Sequence, residues 1–379
     1  MGQIQFGTGG RLGLLKQDAF NTPQTNDTLF KYVAFTQCDF GPQQQQGALP
    51  PEAGNSKAFP RGVFKSGVHA EGGVSLIPRL EENFGYWLEA ICGDVSESES
   101  PPQTIAQAIA ASGTTTGVYS HLFGLVDGDD FSLPYMTAHR YLPNDTEADA
   151  VGEIIQDVRV AQWVLNAPAS SLVTSRIEML GRCNGATVWD INPGWSQPTL
   201  DDDDSFLVTA CAGSVKMSVT GGTPAAVTSF DVLSARMTWT NVLLPPGQAR
   251  VVGSPHPVDY PCLSRVIGFE VVVYVDDYDL YVQTFAGAAD PVVDGTWLCS
   301  SLAGDIDLTF QSPALIGATA EYYQMRIRTT DGNINWLARP IVLAPNQPVL
   351  LAMTGSIVPA TAGGRDIEVW LQNGLVAGY

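Results

Sequence analysis

The sequence predicts a mainly β protein made of two tandem β-rich repeats, each with one short α-helix. Of its 379 residues, 45% are apolar and 15% are charged, which is enough apolar material for a core and argues against a disordered chain. The 38 glycines and 25 prolines favour many short strands and turns over long helices. In addition, several sequence features of the first half recur in the same order in the second half.

The first 60 residues are interpreted as an arm followed by a loop. Residues 41–60, GPQQQQGALPPEAGNSKAFP, are polar and rich in proline and glycine. So long a stretch without a strand pattern is usually either functional or disordered in a compact domain. The segment is therefore expected to be either a mobile surface loop or a loop that becomes ordered against a neighbouring subunit.

A strand followed by a capped helix is predicted within residues 62–94. Residues 63–77 are rich in Val, Ser and Gly and have no helical period, which predicts one strand, or two strands broken at Gly72 and Gly73. Pro78 suits the first turn of a helix, and Gly93 suits its end. Gly85 costs about 1 kcal/mol relative to Ala inside a helix, so the helix needs packing partners. The residues predicted to form its packing stripe are Leu80, Phe84, Leu88 and Ile91.

The rest of the first half is predicted to be mostly strands. Residues 95–118 have the composition of a solvated linker and a weakly helical stretch. Strand patterns follow at residues 131–141, 152–163 and 172–180.

The second half repeats several features of the first. Aligning Gly93 with Gly287 places a second amphipathic helix after a second strand at residues 266–275. Two later pairs also match: GEI at 152–154 with GNI at 332–334, and MLG at 179–181 with MTG at 353–355. The residues predicted to pack the second helix are Tyr278, Tyr281, Val282 and Phe285. The chain is predicted to divide into a first repeat at 1–190, an acidic linker at 191–204 and a second repeat at 205–379.

No pattern of catalytic, cofactor-binding or metal-binding residues stands out. The four histidines lie singly, and the sequence contains neither a GxSxG motif nor a P-loop. The six cysteines lack the close spacing of a zinc site and are expected to be reduced, buried thiols. Residues 201–204, DDDD, could bind calcium, but no glycine and no closing glutamate follow, which favours a solvated acidic linker. We therefore expect no enzyme, cofactor or metal.

Charge and hydropathy limit the partners of the chain. The formal net charge of −20 argues against a surface that binds the nucleic-acid backbone. The first ten residues do not have the pattern of a signal peptide, and no apolar run has membrane-spanning length. We therefore expect no membrane association.

The segment around the first predicted helix resembles the tail tube proteins (major tail proteins) of long-tailed bacteriophages. The resemblance consists of a strand, Pro78, Leu80, the triplets FGY at 84–86 and LEA at 88–90, and Gly93. Residues 121–141, HLFGLVDGDDFSLPYMTAHRY, and then 152–160 and 173–181 follow in the order expected of that family.

This resemblance implies a fold, a function and partners. It implies tail-tube-type β-sandwich or barrel repeats in a structural virion protein that is assembled in the host cytoplasm. Family members with one repeat form six-membered rings, so a chain with two repeats implies a trimer with pseudo-sixfold symmetry. The rings stack into the tail tube, the conduit for DNA ejection. The other implied partners are the tape measure and tail terminator proteins. The 41–60 loop and the N-terminal arm are expected to bridge to the next ring.

One strand is a candidate for the wall of the bore. Residues 305–310, DIDLTF, alternate between polar and apolar, so Asp305 and Asp307 share one face and the apolar residues share the other. The hypothesis is that this acidic face lines the lumen, where DNA passes without specific binding. The alternative is an ordinary solvent face on the outside.

A different function remains open from the sequence. A carbohydrate-binding β-sandwich adhesin, or another non-enzymatic virion surface protein, would also be acidic, rich in glycine and without catalytic motifs. The eight tryptophans could then be sugar-stacking platforms. A glycoside hydrolase would need two placed carboxylates, and none can be identified from the sequence.

Overall fold

The computed structural model confirms a mainly β fold. It describes residues 9–26, 29–49, 62–80, 82–93, 95–97, 102–123, 133–143, 151–183, 204–210, 213–218, 228–229, 231–275, 279–286, 303–329, 332–341, 343, 345–358, 366–376 and 379. The strands of the first half are β1 (Arg11–Lys16), β2 (Lys31–Val33), β3 (Gln37–Cys38), β4 (Gly41–Ala48), β5 (Val63–Leu76), β6 (Val95–Glu97), β7 (Tyr119–Phe123), β8 (Met136–Leu142), β9 (Val151–Pro168) and β10 (Thr174–Arg182). Those of the second half are β11 (Ser214–Ser218), β12 (Thr228–Ser229), β13 (Val232–Leu243), β14 (Cys262–Tyr274), β15 (Ala303–Leu315), β16 (Tyr322–Thr329), β17 (Ile334–Ala338), β18 (Leu350–Ile357) and β19 (Ile367–Asn373). The α-helices are α1 (Glu82–Cys92), α2 (Ile105–Ala110) and α3 (Asp279–Ala286).

The main sheet contains the same four-strand order twice. Its antiparallel strands follow the order β4, β5, β10, β9, β13, β14, β18 and β17. In each half, a hairpin (β4–β5 or β13–β14) leads into a helix (α1 or α3). A later strand, β10 or β18, then pairs with the second strand of that hairpin, and β9 or β17 lies beside it.

One face of the main sheet packs against a second sheet of order β12, β11, β15, β16, β19, β7 and β6. A side sheet of β2, β1 and β8 joins the first half of β9. The buried core between these layers includes Trp163, Trp239 and Met353 from the main sheet and Phe310 and Ile327 from the second sheet. Burial of this continuous apolar layer is the main stabilising contribution to the fold.

Both large sheets include strands from the two halves of the chain. Strand β9 pairs with β13 in the main sheet, and β7 pairs with β19 in the second sheet. The two halves therefore share one core. The division at residues 190 and 205 stays a prediction, since residues 184–203 lie outside the described part of the chain.

The prediction that Pro78 opens the first helix was wrong, because α1 begins at Glu82. The preceding residues are held in an extended conformation by the second half of the chain. Arg79 forms a β-bridge with Leu207, and the Leu80 amide donates to the carbonyl of Phe206 at 3.2 Å. The Val208 amide also donates to the Pro78 carbonyl at 3.3 Å, and a helix that began at Pro78 would need this carbonyl for its first intrahelical hydrogen bond.

The prediction of a loop over residues 41–60 was wrong for its first part. Residues Gly41–Ala48 form β4, which pairs along β5 as far as Val63. The four glutamines at 43–46 are exposed, so the strand has no alternation of apolar and polar residues by which to recognise it. Residues 50–61 lie outside the described part of the chain. The predicted arm also joins the body early, because β1 begins at Arg11.

The ring of Tyr379 explains why helix α1 contains Gly85. A Cβ atom added at Gly85 would overlap the Tyr379 ring. That ring also packs edge-on against Tyr86 and His121, with centroid distances of 4.9 Å in both cases, and lies 5.4 Å from the Phe123 ring. A glycine inside the helix is therefore compatible with packing, although it lowers helix propensity.

Replacing Gly85 with Ala is expected to change the free energy of unfolding differently in two backgrounds. In the Tyr379→Ala background, Gly85→Ala should raise the free energy of unfolding by about 1 kcal/mol through helix propensity. In the unmodified chain the new methyl group displaces the Tyr379 ring, so this gain should be lost. Urea unfolding of the four variants measures the difference. An equal gain in both backgrounds would contradict the packing argument.

Candidate assembly surfaces

The two halves of the main sheet meet in an antiparallel junction between β9 and β13. Residues 162–168 of β9 pair in register with residues 240–234 of β13. At its centre Trp163 lies opposite Trp239, and both side chains are fully buried. The indole Nε1 of Trp163 donates to Ser175 Oγ at 2.8 Å, and that of Trp239 donates to Asn241 Oδ1 at 3.1 Å. The junction is therefore a packed part of the core with satisfied polar groups.

The first end of the main sheet is β4. It pairs with β5 on one side, and no described strand pairs with its other side. Most of β4 is exposed, and Pro42 removes one backbone donor from the strand. Such an edge can accept another strand.

The other end of the main sheet is β17. Its neighbouring strands correspond to those of β9, except that β9 also pairs with β13. Strand β9 pairs with β8 through residues 151–158 and with β13 from residue 162 onward. Strand β17 pairs with β15 only at Ile334 and Asn335, and no described strand pairs with this side beyond that point. The exposed edge of β17 therefore corresponds to the part of β9 that pairs with β13.

The face of the main sheet that points away from the core carries paired charges. Arg176 contacts Asp39 at 3.2 Å and Glu178 at 3.1 Å, and Arg339 contacts Glu270 at 3.3 Å. A hydrogen bond from the Gly73 amide, together with Arg176, lowers the pKa of the Asp39 carboxyl. The Asp39 carboxylate therefore stays charged at neutral pH and pairs with Arg176.

The predicted lumen residues Asp305 and Asp307 are buried inside the chain. Asp305 is 0% exposed and accepts hydrogen bonds from Thr329 Oγ1 at 3.0 Å and from the Gly332 amide at 3.1 Å. Asp307 is 3% exposed and forms a two-bond ion pair with Arg326 at 2.9 and 2.6 Å. Their position in an assembled tube stays a prediction, and their burial weighs against their presenting free charge to a bore.

The predicted helix-packing residues lie partly in the core. In the first half, Leu80, Phe84, Leu88 and Ile91 are all buried, although Leu80 precedes α1. In the second half, Tyr281 packs partly against the core and Val282 is 36% exposed. Tyr278 lies outside the described residues, and α3 includes Phe285.

A polar cleft of about 630 Å³ beside β4 shows no activated nucleophile among its charged and thiol groups. Arg140 Nε contacts Glu153 Oε2 at 3.0 Å, and burial raises the pKa of the Glu153 carboxyl. Burial also raises the pKa of the Cys183 thiol to about 12, so this thiol keeps its proton at neutral pH. Among the described residues, no three His, Cys, Asp or Glu side chains are grouped to hold a metal ion.

The described tryptophans do not form sugar-stacking platforms. The side chains of Trp87, Trp163, Trp239, Trp336 and Trp370 are all buried. A stacking platform requires an exposed ring face. In the part of the chain that the structure describes, no helix is both long and apolar enough to span a membrane.

Comparison with known families identifies the protein class. A family model described as phage tail tube protein matches residues 7–337, which is most of the chain. The chain belongs to the phage tail tube protein family. None of the curated proteins compared with it matches.

The family match confirms the tail tube resemblance found in the sequence. A tail tube protein is a structural component of the virion tail, and it assembles with copies of itself and with other tail proteins. The matched region includes both hairpin–helix units and ends within β17. The free edges β4 and β17 of this tail tube protein were not predicted from the sequence. Strand β4 has no period of two, and β17 is only five residues long and alternates between apolar and polar only at Ile334, Asn335 and Trp336.

The buried carboxylates of the tail tube protein should contribute to stability. Asp305→Ala and Asp307→Ala should each lower the free energy of unfolding by about 1–3 kcal/mol, because buried donors lose their acceptors. Asp231 is exposed, so the control Asp231→Ala should stay within about 0.5 kcal/mol. Denaturant unfolding of the monomer checks both values. If Asp305→Ala is as neutral as the control, the carboxylate has no structural role.

Proposed function

We propose that this tail tube protein forms a trimeric ring in which β17 of each copy pairs with β4 of the next. The observation that carries this proposal is the repeated strand order of the main sheet. The in-chain junction joins the last strand of the first unit, β9, to the first strand of the second unit, β13. The corresponding last and first strands, β17 and β4, are the ends of the sheet.

A junction between two different edges can repeat from copy to copy, and it forms a ring when the rotation between copies closes. Closure then satisfies the backbone groups of both free edges. Each chain supplies two four-strand units, so three copies give six units around the axis. This is the pseudo-sixfold arrangement that the family resemblance implies.

We infer that the face of the main sheet that points away from the core lines the bore. The second sheet and helix α1 both contribute to the core on the other side of the main sheet. This bulkier layer fits at the larger radius of a ring, where the circumference is longer. Two arginines on this face, Arg176 and Arg339, are already paired with carboxylates. DNA can therefore pass without being held through phosphate contacts.

The complete function is stacking of such rings into the tube through which the phage DNA is ejected into the host. The rings are assembled in the host cytoplasm, and tape measure and tail terminator proteins are the further partners. Bridging between rings by the N-terminal arm and the 41–60 loop stays a prediction, because residues 1–8 and 50–61 lie outside the described residues. The chain has no catalytic role in this proposal.

Removing one backbone donor from the β17 edge should block ring formation. The Arg339 amide donates to the Ala352 carbonyl, so the neighbouring Ala338 amide points away from β18, toward the free edge. Ala338→Pro should leave a folded monomer that no longer forms trimers. Arg339→Ala keeps the amide and removes only an exposed ion pair, so this control should assemble normally.

Native mass spectrometry gives the number of copies, and circular dichroism checks that each variant is folded. Trimers formed equally well by Ala338→Pro and the control would contradict pairing at the β17 edge. An unmodified chain that stays monomeric at high concentration, even with the other tail proteins present, would contradict ring formation itself.

A further inference from the structure

An exposed apolar patch lies at the β17 end of the main sheet. Leu337 is 64% exposed, Val266 is 57% exposed and Val358 is 41% exposed. These residues lie on or next to the neighbouring strands β17, β14 and β18. We call this group the β17 patch. Exposed apolar residues on adjacent strands commonly mark a contact surface.

In the first half, the corresponding surface lies on β9, β5 and β10. It is covered by the loop that joins β13 to β14. This loop, residues 244–261, reaches back over β5, β10 and β9. The Val68 amide donates to the Pro255 carbonyl at 3.0 Å, and Arg182 Nε donates to the Pro257 carbonyl at 2.8 Å. The Tyr260 side chain is 0% exposed and packs in a small apolar cluster with Leu180.

Two glycines, one in each half, show which residues under the 244–261 loop correspond to residues of the β17 patch. Gly181 pairs with β5, and an added Cβ would meet Ile155 in β9. Gly355 pairs with β14, and an added Cβ would meet Ile334 and Trp336 in β17.

One residue earlier on each of these strands, Leu180 pairs with Arg159, and Thr354 pairs with Leu337. Arg159 is 6% exposed under the loop, where its Nη1 donates to the Tyr260 carbonyl at 3.0 Å. Leu337, in the corresponding position, is exposed.

The sequence contains a second loop of the same kind. The loop between β13 and β14 begins with LPP at 244–246 and ends with YP at 260–261. The loop between β4 and β5 begins with LPP at 49–51 and ends with FP at 59–60. Both are closed by a hydrogen bond from the leucine amide, to the Pro261 carbonyl at 3.1 Å and to the Gly62 carbonyl at 2.9 Å.

We propose that residues 50–61 of one copy cover the β17 patch of the next copy, with Phe59 in the role that Tyr260 has within the chain. The proposal rests on the ring described above and adds a second lateral contact to it. In such a ring, β17 of one copy adjoins β4 and β5 of the next. The loop then lies over the patch as the 244–261 loop lies over β9 and β10.

The loop is too short to cover the patch of its own chain. Strands β5 and β17 are six strand spacings apart in the main sheet, which is about 29 Å at about 4.8 Å for each spacing. The loop must leave Leu49 and return to Gly62, so its tip reaches about 20 Å at most. In the next copy of the ring, the patch is only one or two strand spacings from the loop. The occupant is therefore a second copy.

Photo-cross-linking of isolated rings tests this contact. A benzoylphenylalanine at position 59 of the full chain should give cross-links between two copies, on the peptides that contain Leu337 or Val358. The matched control has the same group at position 260, which should cross-link within one chain to the peptide that contains Leu180. Mass spectrometry identifies the cross-linked peptides.

Each outcome of this experiment decides a separate point. Rings with cross-links elsewhere would overturn the docking proposal and leave the ring intact. Cross-links from position 59 that occur only in stacked tubes would instead assign the loop to bridging between rings. A chain that forms no rings would overturn both proposals.

Substitutions provide an independent measure. Phe59→Ala and Leu337→Asp should each raise the concentration needed for ring assembly by about tenfold or more, as expected for a buried interface anchor. Leu315 is 47% exposed at the end of β15, in the second sheet, so Leu315→Asp is the matched control and should have little effect. Equal effects of Leu337→Asp and Leu315→Asp would contradict a specific contact at the patch.

Discussion

The backbone groups along the edges of the main sheet are the constraint on which the rest of the structure depends. A buried N–H or C=O without a partner is costly, and an exposed edge recruits other strands. Within the chain, the β9–β13 junction solves this problem where the two halves meet. In the proposed ring, β17 of one chain pairs in the same way with β4 of the next, and the open sheet becomes a closed one. Pro42 and the Pro340 that follows β17 limit the number of donors that each edge offers to a wrong partner.

A hydrogen-bonded network keeps the in-chain junction in place. Asn241 Nδ2 donates to the carbonyls of Ile91 in α1 and Val160 in β9, at 3.0 and 3.1 Å. Its Oδ1 accepts from Trp239 Nε1 and from Arg265 Nε at 2.8 Å. One buried amide thus links α1, β9, β13 and β14. These buried hydrogen bonds fix the relative positions of the four elements more strongly than apolar contacts alone would.

The sequence predicted those parts of the fold that depend on local pattern. The strand at 63–77, the apolar stripe of the first helix and the later strands of the first half all follow from periodicity and turn residues. The start of α1 could not be predicted, because residues 79–80 pair with residues 206–207, which are distant in sequence. Strand β4 was missed because its four glutamines are exposed at a sheet edge. The repeated LPP at 49–51 and 244–246 could have aligned the two hairpins.

The candidate site was harder to predict than the fold. The alternation at 305–310 correctly separates two faces of β15, but it cannot show what covers each face. Strand β15 lies between β11 and β16, and Asp307 is covered through its ion pair with Arg326 from β16. A polar face can therefore be buried when a neighbouring strand supplies the opposite charge.

An electron cryomicroscopy reconstruction of the assembled protein, at a resolution that traces individual strands, tests the central claim most directly. The account predicts three copies in each ring, with β17 of every copy hydrogen-bonded to β4 of the next in one continuous sheet. A ring in which these two edges stay unpaired, or in which like edges meet across a twofold axis, would contradict it.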